Sequence, residues 1–496
     1  MGFVARWHRP GIAVAAFVAT AALAYFGNGL NPRWPLMWLA PIPVLLFALE
    51  APAWQAALVA AGAWLVGWLN LLSLLRAMGA PPLTWISAAG PSAIAFAVGV
   101  LLTRALRRRG GIWSAWVALP ALWMTFEYVR NLLWPFGSAA SIAYSQLNFL
   151  PFLQWASVAG PWGMGFVLML LPAGLALGLH LWWNGAPRQA RAVAGASLGV
   201  LAAVLIFGAV RLQSSQPGPV VTVGLVAADG TNIVARPGAA TQQLFDEYVR
   251  RAEELIGRGA RVVVLPENLG VVLDSDVAQA DALFQALADR TGAVLVAGMT
   301  HASSRTMQHN EARIYTPQAP VRSYDKEHLL PPFESVYTPG TSLALLKSRG
   351  RSAGQPWGVA ICKDFDFTEP ARTYGQAGVG LMLAPAWDFR LDAFWHGHIA
   401  VMRAVEDGFS LVRAARRGLL TVADDRGRIV AETASNTTPF TMLLAKVSTG
   451  HQETLFLLLG DWFGPFAIVL LAIVIARLVQ LPSHREGNEQ VVPARS

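Results

Sequence analysis

Glu267, Lys326 and Cys362 are the side chains of this sequence whose types and placement could do covalent chemistry. Glu267 closes the apolar run RVVVLPEN, Lys326 lies in SYDKEHLLPPFE, and Cys362 ends WGVAIC. Each therefore stands at the end of a strand-like stretch or in the loop that follows it, where loops build sites on a rigid scaffold. A carboxylate can take a thiol proton and later activate an incoming nucleophile. A thiolate can attack a carbonyl, and an ammonium can offset the developing oxyanion. Singly, each residue has a plainer explanation: an acidic helix cap, a surface ion pair with Asp325 or Glu327, a small buried hydrophobe. Jointly they form a working set for acyl transfer. Lysine is also scarce, with only Lys326, Lys347, Lys363 and Lys446 among 38 basic residues. Where arginine is the default cation, a lysine points to a compact, orientable ammonium.

The elements that must position this set follow from residue 219 onward. VVTVGLVAAD, RVVVLPEN, AVLVAGMTH, PWGVAICKD and VGLMLAPAW read as buried strands. Between them ATQQLFDEYVRRAEELIG, DVAQADALFQALADRTG and LDAFWHGHIAVMRAVEDG have helical spacing. Near-continuous apolar strands separated by helices imply an α/β layered domain, expected over 214–455.

The rest of the chain is of another kind. Of 496 residues 54% are hydrophobic and 14% charged, against roughly 25% charged in soluble proteins. Residues 1–213 hold 12 Arg and 2 Glu, a net of +10, so the remainder nets −2 out of the chain's +8. The basicity thus belongs to the apolar half, where arginine reports membrane topology, and no nucleic-acid partner is expected. Seven stretches suffice to cross a bilayer before residue 214, near 11–29, 34–50, 54–75, 84–104, 113–130, 162–182 and 192–210, and an eighth lies near 463–481. The expected organisation is a membrane domain over 1–213, the α/β domain, a final span within 456–482 and a polar cytoplasmic tail, 483–496. With a cytoplasmic N-terminus, 11 arginines fall on the cytoplasmic side and only Arg33, Arg76, Arg130 and Arg211 opposite, so 214–462 is expected to face outward. The sole cysteine excludes an intramolecular disulfide. Asn131 to Pro187 carries no charge at all. Its first half, with Trp134, Tyr144 and Trp155, reads either as an interfacial lipid-entry surface or as a helix-packing loop.

Taken in order, these pieces resemble the apolipoprotein N-acyltransferases, membrane-embedded members of the nitrilase superfamily. FEYVRNLLWPFG, LPENLG, YDKEHLLPPFE, GVAIC, AVEDGFSLVRAARRG and GDW before the last helix carry the likeness across almost the whole chain. The resemblance implies a multi-pass helical protein of about eight spans bearing an αββα sandwich in the periplasm of a two-membrane bacterium. It implies a Glu-Lys-Cys triad at Glu267, Lys326 and Cys362, with Glu334 as a further active-site carboxylate. Cys362 would take a fatty acyl chain from a phospholipid as a thioester and pass it to the N-terminal amine of a lipid-modified apolipoprotein, with no cofactor and no metal.

The chain departs from the family pattern beside the nucleophile. Lys363 and Asp364 stand where an aromatic and a glutamate are usual, Ala384 and Pro385 replace an Asn-Asp before Ala386 and Trp387, and Arg416 replaces an Asn. Lys363 either lowers the pKa of Cys362 and draws an anionic group, or points away. Trp387 and Phe333 are expected to contact substrate, the latter from an apolar loop, Leu329 to Phe333, that reads as a lid or a packed turn. A membrane amidohydrolase, or transfer to a different amine, would use the same triad. A transporter is disfavoured because the membrane half has almost no charge to line a path. His396 and His398, two apart on a helix, face different sides and lack a neighbouring cysteine for a metal site. Glu127 and Arg130 are expected to pair near a membrane face, and Asp461 to cap the last helix.

Overall fold

The structure, a computed structural model, describes residues 10–81, 83–214, 218–229, 235–303, 307–347 and 354–482. The tail from 483, and Arg6 and Arg9 at the start, lie outside the described residues. The first half is helical: α1 (Pro10–Gly27), α2 (Trp34–Met37), α3 (Ile42–Glu50), α4 (Ala53–Gly67), α5 (Leu72–Ala77), α6 (Leu83–Arg108), α7 (Ile112–Leu133), α8 (Leu150–Leu153), α9 (Ala156–Trp183) and α10 (Pro187–Gln213). Among the described residues six helical stretches are long and apolar enough to cross a membrane: α1, Ala53–Ala77, α6, α9, α10 and the last helix, Phe463–Gln480. The two other expected spans are the shorter apolar stretch Trp34–Glu50 and the 22-residue α7, which packs against α6 and α9. Apolar side chains such as Val14, Leu58, Ile94, Ile206 and Val469 remain exposed on these helices, the surface a bilayer covers.

α9 is the hub of the bundle, with 83% of its apolar window buried. It starts earlier than expected, at Ala156, and breaks at Gly160, where φ is +59° ahead of Pro161. Only glycine fits there, because a Cβ would come within 2.4 Å of the Phe456 ring.

The second half is layered. Its elements are β1 (Val220–Ala228), α11 (Ala239–Gly257), β2 (Val262–Val264), β3 (Val271–Leu273), α12 (Val277–Thr291), β4 (Val294–Ala302), β5 (Gln308–Tyr315), β6 (Arg322–Asp325), β7 (Ala344–Leu346), β8 (Trp357–Val359), α13 (Ala371–Gln376), β9 (Leu381–Trp387), α14 (Ala393–Asp407), β10 (Ser410–Arg416), β11 (Leu419–Ala423), β12 (Ile429–Ala434), β13 (Phe440–Ser448), α15 (Leu455–Leu459) and α16 (Phe463–Gln480). One sheet runs β13-β1-β2-β4-β5-β6 with β3 beside β4, and the other runs β12-β11-β10-β9-β8-β7. The central pairs β1–β2, β2–β4, β8–β9 and β9–β10 are parallel, and the flanking pairs are antiparallel apart from β3–β4. The two sheets share one apolar core, in which Val223, Leu225 and Val264 meet Leu383, Val412 and Val422. α11 and α12 cover the outer face of the first sheet through Phe245, Leu255 and Phe284, and α13 and α14 lie on the second. This is an αββα sandwich. α14 has a second apolar side: Ile399, Met402 and Val405 belong to the same core as the membrane helices.

The uncharged segment after α7 proves to be a packed bracket between the halves. Residues 141–147 are buried, Ser138 donates its N–H to Asp366 O at 3.0 Å, and Leu132 and Leu133 stay exposed at its start. Glu127 explains the bracket's position. The expected Glu127–Arg130 pair is corrected, for the carboxylate accepts from Trp123 Nε1 (2.9 Å), Ser141 Oγ (2.6 Å) and Ile142 N (2.9 Å). Arg130 instead lies over the rings of Phe126 and Trp134. Asp461 is likewise no side-chain cap. It accepts from Trp162 Nε1 (2.7 Å) and Thr368 Oγ1 (3.0 Å), tying α9 to the sandwich. In both cases a carboxylate at the junction satisfies donors from across it, a geometry that local spacing does not encode.

Candidate active site

Glu267 follows β2 and is pressed against β4. A Cβ on Gly298 would lie 2.5 Å from the Glu267 Cα, so glycine at that position is what lets the two chains approach. Its N–H donates to Ala386 O at 3.3 Å, linking the two sheets at this point. Lys326 follows β6, and its N–H is fixed by Asn310 O at 2.8 Å on the neighbouring β5. The ammonium donates to Glu267 Oε1 at 2.8 Å and lies 2.8 Å from Glu334 Oε2. Asn310, which sequence reasoning missed, donates its Nδ2 to Glu267 Oε1 and to Glu334 Oε1, both at 2.6 Å. Its position in QHNEARIY carries no signal, because a strand asparagine is distinguished only by what lies across the sheet. All four side chains are buried.

Cys362 opens a 3-10 turn, Cys362–Asp366, with φ at +46°. A left-handed cysteine costs roughly 1–2 kcal/mol, and the turn is held against that strain by Asp364. Its carboxylate accepts from Ile361 N (2.9 Å), His328 N (2.8 Å) and Tyr324 OH (2.8 Å). Asp364 therefore shapes the loop that presents the sulfur. The thiol donates to Trp387 O at 3.5 Å. Burial pushes the thiol well above its ordinary pKa and the Glu267 charge adds to this, against Lys326 and Arg413. Glu267 is itself raised by burial against the pull of Lys326. Lys326 is raised well above its usual value, since Glu267 and Glu334 outweigh its desolvation. The resting site thus holds a protonated thiol, an ammonium and a carboxylate made more basic by burial, a set in which the proton moves as the sulfur attacks.

The Lys363 ammonium points to the bracket. It donates to Pro135 O at 2.6 Å and sits over the rings of Phe367 (4.6 Å) and Phe136 (5.4 Å). Burial lowers its pKa, and the thiol stays high.

Trp387, Phe333, Glu334, Lys363 and the three central residues all line one cavity of about 790 Å³. Its wall continues into the membrane half through Trp68, Leu71, Leu74, Leu75, Met78 and Trp85. Phe333 is 46% exposed at the mouth and packs on Phe389. Arg416 stacks on Trp387 at 4.2 Å and donates to Asn268 O at 2.9 Å, so the residue standing for an asparagine buttresses the backbone next to Glu267.

The structure also brings in residues the sequence did not place. Cys362 Sγ, a carboxylate oxygen of Asp388 and a ring nitrogen of His396 lie within 4.8 Å of one another. The expectation that no cysteine approaches the histidine pair is thereby corrected, while His398 does turn aside, to Phe394 O at 2.9 Å. Arg413, fully buried in the apolar run of β10, grips Asp388 with two bonds, 2.9 and 2.6 Å. A charge inside an apolar strand was the available signal.

Two family models match this chain. Residues 7–174 match the apolipoprotein N-acyltransferase N-terminal domain and residues 225–450 the carbon-nitrogen hydrolases. Proteins named apolipoprotein N-acyltransferase align with it nearly end to end. The Geobacter metallireducens protein is 27% identical over 92% of each chain. That of Gloeobacter violaceus is 24% identical over 91% of each, and that of Nitrosomonas europaea 28% identical over 84% of this chain and 88% of its own. The chain belongs to the apolipoprotein N-acyltransferase family. It is an acyltransferase-type enzyme built into a membrane. The family's domain order, membrane helices first and the carbon-nitrogen hydrolase unit second, accounts for a cavity walled by both.

Proposed function

We propose that the enzyme transfers a fatty acyl chain from a phospholipid to the N-terminal amine of a diacylglyceryl-cysteine lipoprotein through a thioester on Cys362. The carrying observation is the cavity that puts Glu267, Lys326 and Cys362 at one end and an apolar wall of membrane helices at the other. A soluble amide has no use for that wall, whereas a lipid acyl chain does. Glu267 takes the thiol proton and returns it to the leaving alcohol, and Lys326 stabilises the oxyanion. Glu334 and Asn310 hold both in register, Asp364 shapes the nucleophile's turn, and Trp387 and Phe333 contact substrate. The arginine distribution supports a periplasmic placement of the sandwich over a bacterial inner membrane.

The test is intact mass of the purified full chain after incubation with phospholipid, for wild type and Cys362→Ala, followed by addition of a diacylglyceryl-cysteine peptide with a free N-terminus. An acyl-sized adduct on wild type alone, discharged onto the peptide, is expected. An adduct that leaves only to water would make the protein a membrane acyl hydrolase and overturn the transferase reading.

A further inference from the structure

The acyl-transfer half of this reaction needs one more proton acceptor than Glu267 provides. An acceptor α-amine is largely an ammonium at neutral pH, its pKa being about 8, and forming the amide removes two of its protons, of which the departing thiolate recovers one. Glu267 can carry that one between amine and sulfur. The other must leave by a different group.

His396 occupies the required place. It lines the same cavity as Cys362. Its Nδ1 bonds Asp388 Oδ1 at 2.9 Å, and Asp388 is clamped by Arg413. Its Nε2 has no hydrogen-bond partner among the described residues. Asp366 Oδ1, likewise without a hydrogen-bond partner, lies 3.5 Å from that nitrogen, positioned to stabilise an imidazolium once it forms. The groups facing the ring are Asp388, from the loop after β9, Asp366, Lys363 and Cys362, from the 3-10 turn, Arg413 on β10, and Asp392 at the start of its own helix. The whole assembly comes from the six-stranded sheet and the helix packed on it, whereas Glu267, Asn310 and Lys326 come from the seven-stranded sheet. The two sheets thus each supply one proton acceptor to the sulfur between them.

We infer that His396, oriented by Asp388, is the base that deprotonates the incoming acceptor ammonium in the second half-reaction. This rests on the transferase reading given above. The step balances as follows. Nε2 takes one proton from R–NH₃⁺, and the freed lone pair attacks the thioester carbonyl. Glu267 takes a second N–H proton as the tetrahedral intermediate forms. On collapse the C–S bond breaks and the Cys362 thiolate recovers that proton. The imidazolium then releases its proton to solvent, one per amide made. Burial opposes charge on His396, but Asp366 and Asp388 raise its pKa overall. Asp388 is held below the ordinary carboxylate value, its burial outweighed by Arg413. The carboxylate therefore stays ionised and accepts the Nδ1–H hydrogen bond, which leaves Nε2 free to take a proton, in the manner of other Asp-His pairs.

The experiment separates the half-reactions in full-length wild type, His396→Gln and Asp388→Asn, using a labelled phospholipid in mixed micelles. His396→Gln is expected still to form the thioester, and its fold is checked by thermal unfolding against wild type. Its discharge onto a diacylglyceryl-cysteine peptide at pH 7 is expected to slow by about 10²-fold, and the gap to narrow at pH 9, where the peptide amine is mostly free. Discharge by hydroxylamine, an amine already uncharged at pH 7, is expected to be unaffected. Asp388→Asn should show the same pattern to a smaller degree. Equal slowing with peptide and hydroxylamine, an unslowed peptide discharge, or loss of thioester formation in His396→Gln alone would each overturn the assignment. A wild type that forms no thioester would overturn the transferase reading instead.

Discussion

Two buried cation–carboxylate clusters in this protein use nearly the same ingredients to opposite ends. At the site, Lys326 lies between Glu267 and Glu334, and all three line the cavity. At the junction with the membrane helices, fully buried Arg403 pairs with Glu406 at 2.9 Å and reaches Tyr144 OH at 3.2 Å, with Asp407 beside it. None of these junction residues touches the cavity. Burial raises Glu406 to about 8, and raises Glu267 as well. A perturbed carboxylate is therefore not a mark of chemistry here. What separates the clusters is access to a space where a substrate can sit, together with a nucleophile on the same wall.

The comparison can be broken most sharply at Cys362. Cys362→Ala is expected to lower acyl transfer by at least about 10⁴-fold with the melting temperature unchanged, as read by transfer assays and thermal unfolding in micelles. Next, Glu267→Gln is expected to slow thioester formation by about 10²–10⁴-fold. Arg403→Met should do the reverse. It strands Glu406 without a cation and is expected to destabilise the protein by about 3–5 kcal/mol, while the molecules that remain folded form thioester at the normal rate. A large loss of rate per folded molecule in Arg403→Met would erase the distinction between the clusters.

Lys326 sharpens it through pH. Its folded-state pKa is raised, so the stability it contributes is complete below the unfolded lysine value, about 10.4, and is lost as pH climbs toward the folded value. Wild type is expected to lose stability progressively above that point, and Lys326→Met, already weaker, to lose less over the same range, measured as midpoint temperature against pH. The smallest effect is expected at Lys363. Lys363→Met gives up the Pro135 bond and two ring contacts, for about 1–3 kcal/mol of stability, and should leave the pH dependence of thiol alkylation in place.

Glu267, Lys326 and Cys362, which the structure brings to one cavity, could be picked out because each stands at the end of a readable strand or just after it, and the membrane spans because apolar length reports them directly. Trp387 and Glu334 came with the family pattern. Asn310, Asp388 and Arg413 did not come forward, and His396 was weighed only as a metal ligand and set aside, since each acquires meaning only from partners far along the chain: Glu267 and Glu334 for Asn310, and one another, beside Cys362, for the rest. Glu127 and Asp461 were misread for a related reason. Spacing along one helix offered each a local partner, and the structure supplied better ones from segments far along the chain. The start of α9 was missed because Gly160 and Pro161 look like an end to a helix when they mark a bend within it.

The shared wall of the cavity has a consequence for how the protein comes to be active. Residues from the 53–77 stretch and from α6 complete a chamber whose reactive end is made hundreds of residues later. In the chain the membrane helices precede the nucleophile, so the floor of the chamber is written ahead of the residue it serves. The chamber is therefore whole only where the sandwich meets that floor, and neither half encloses the sulfur without the other.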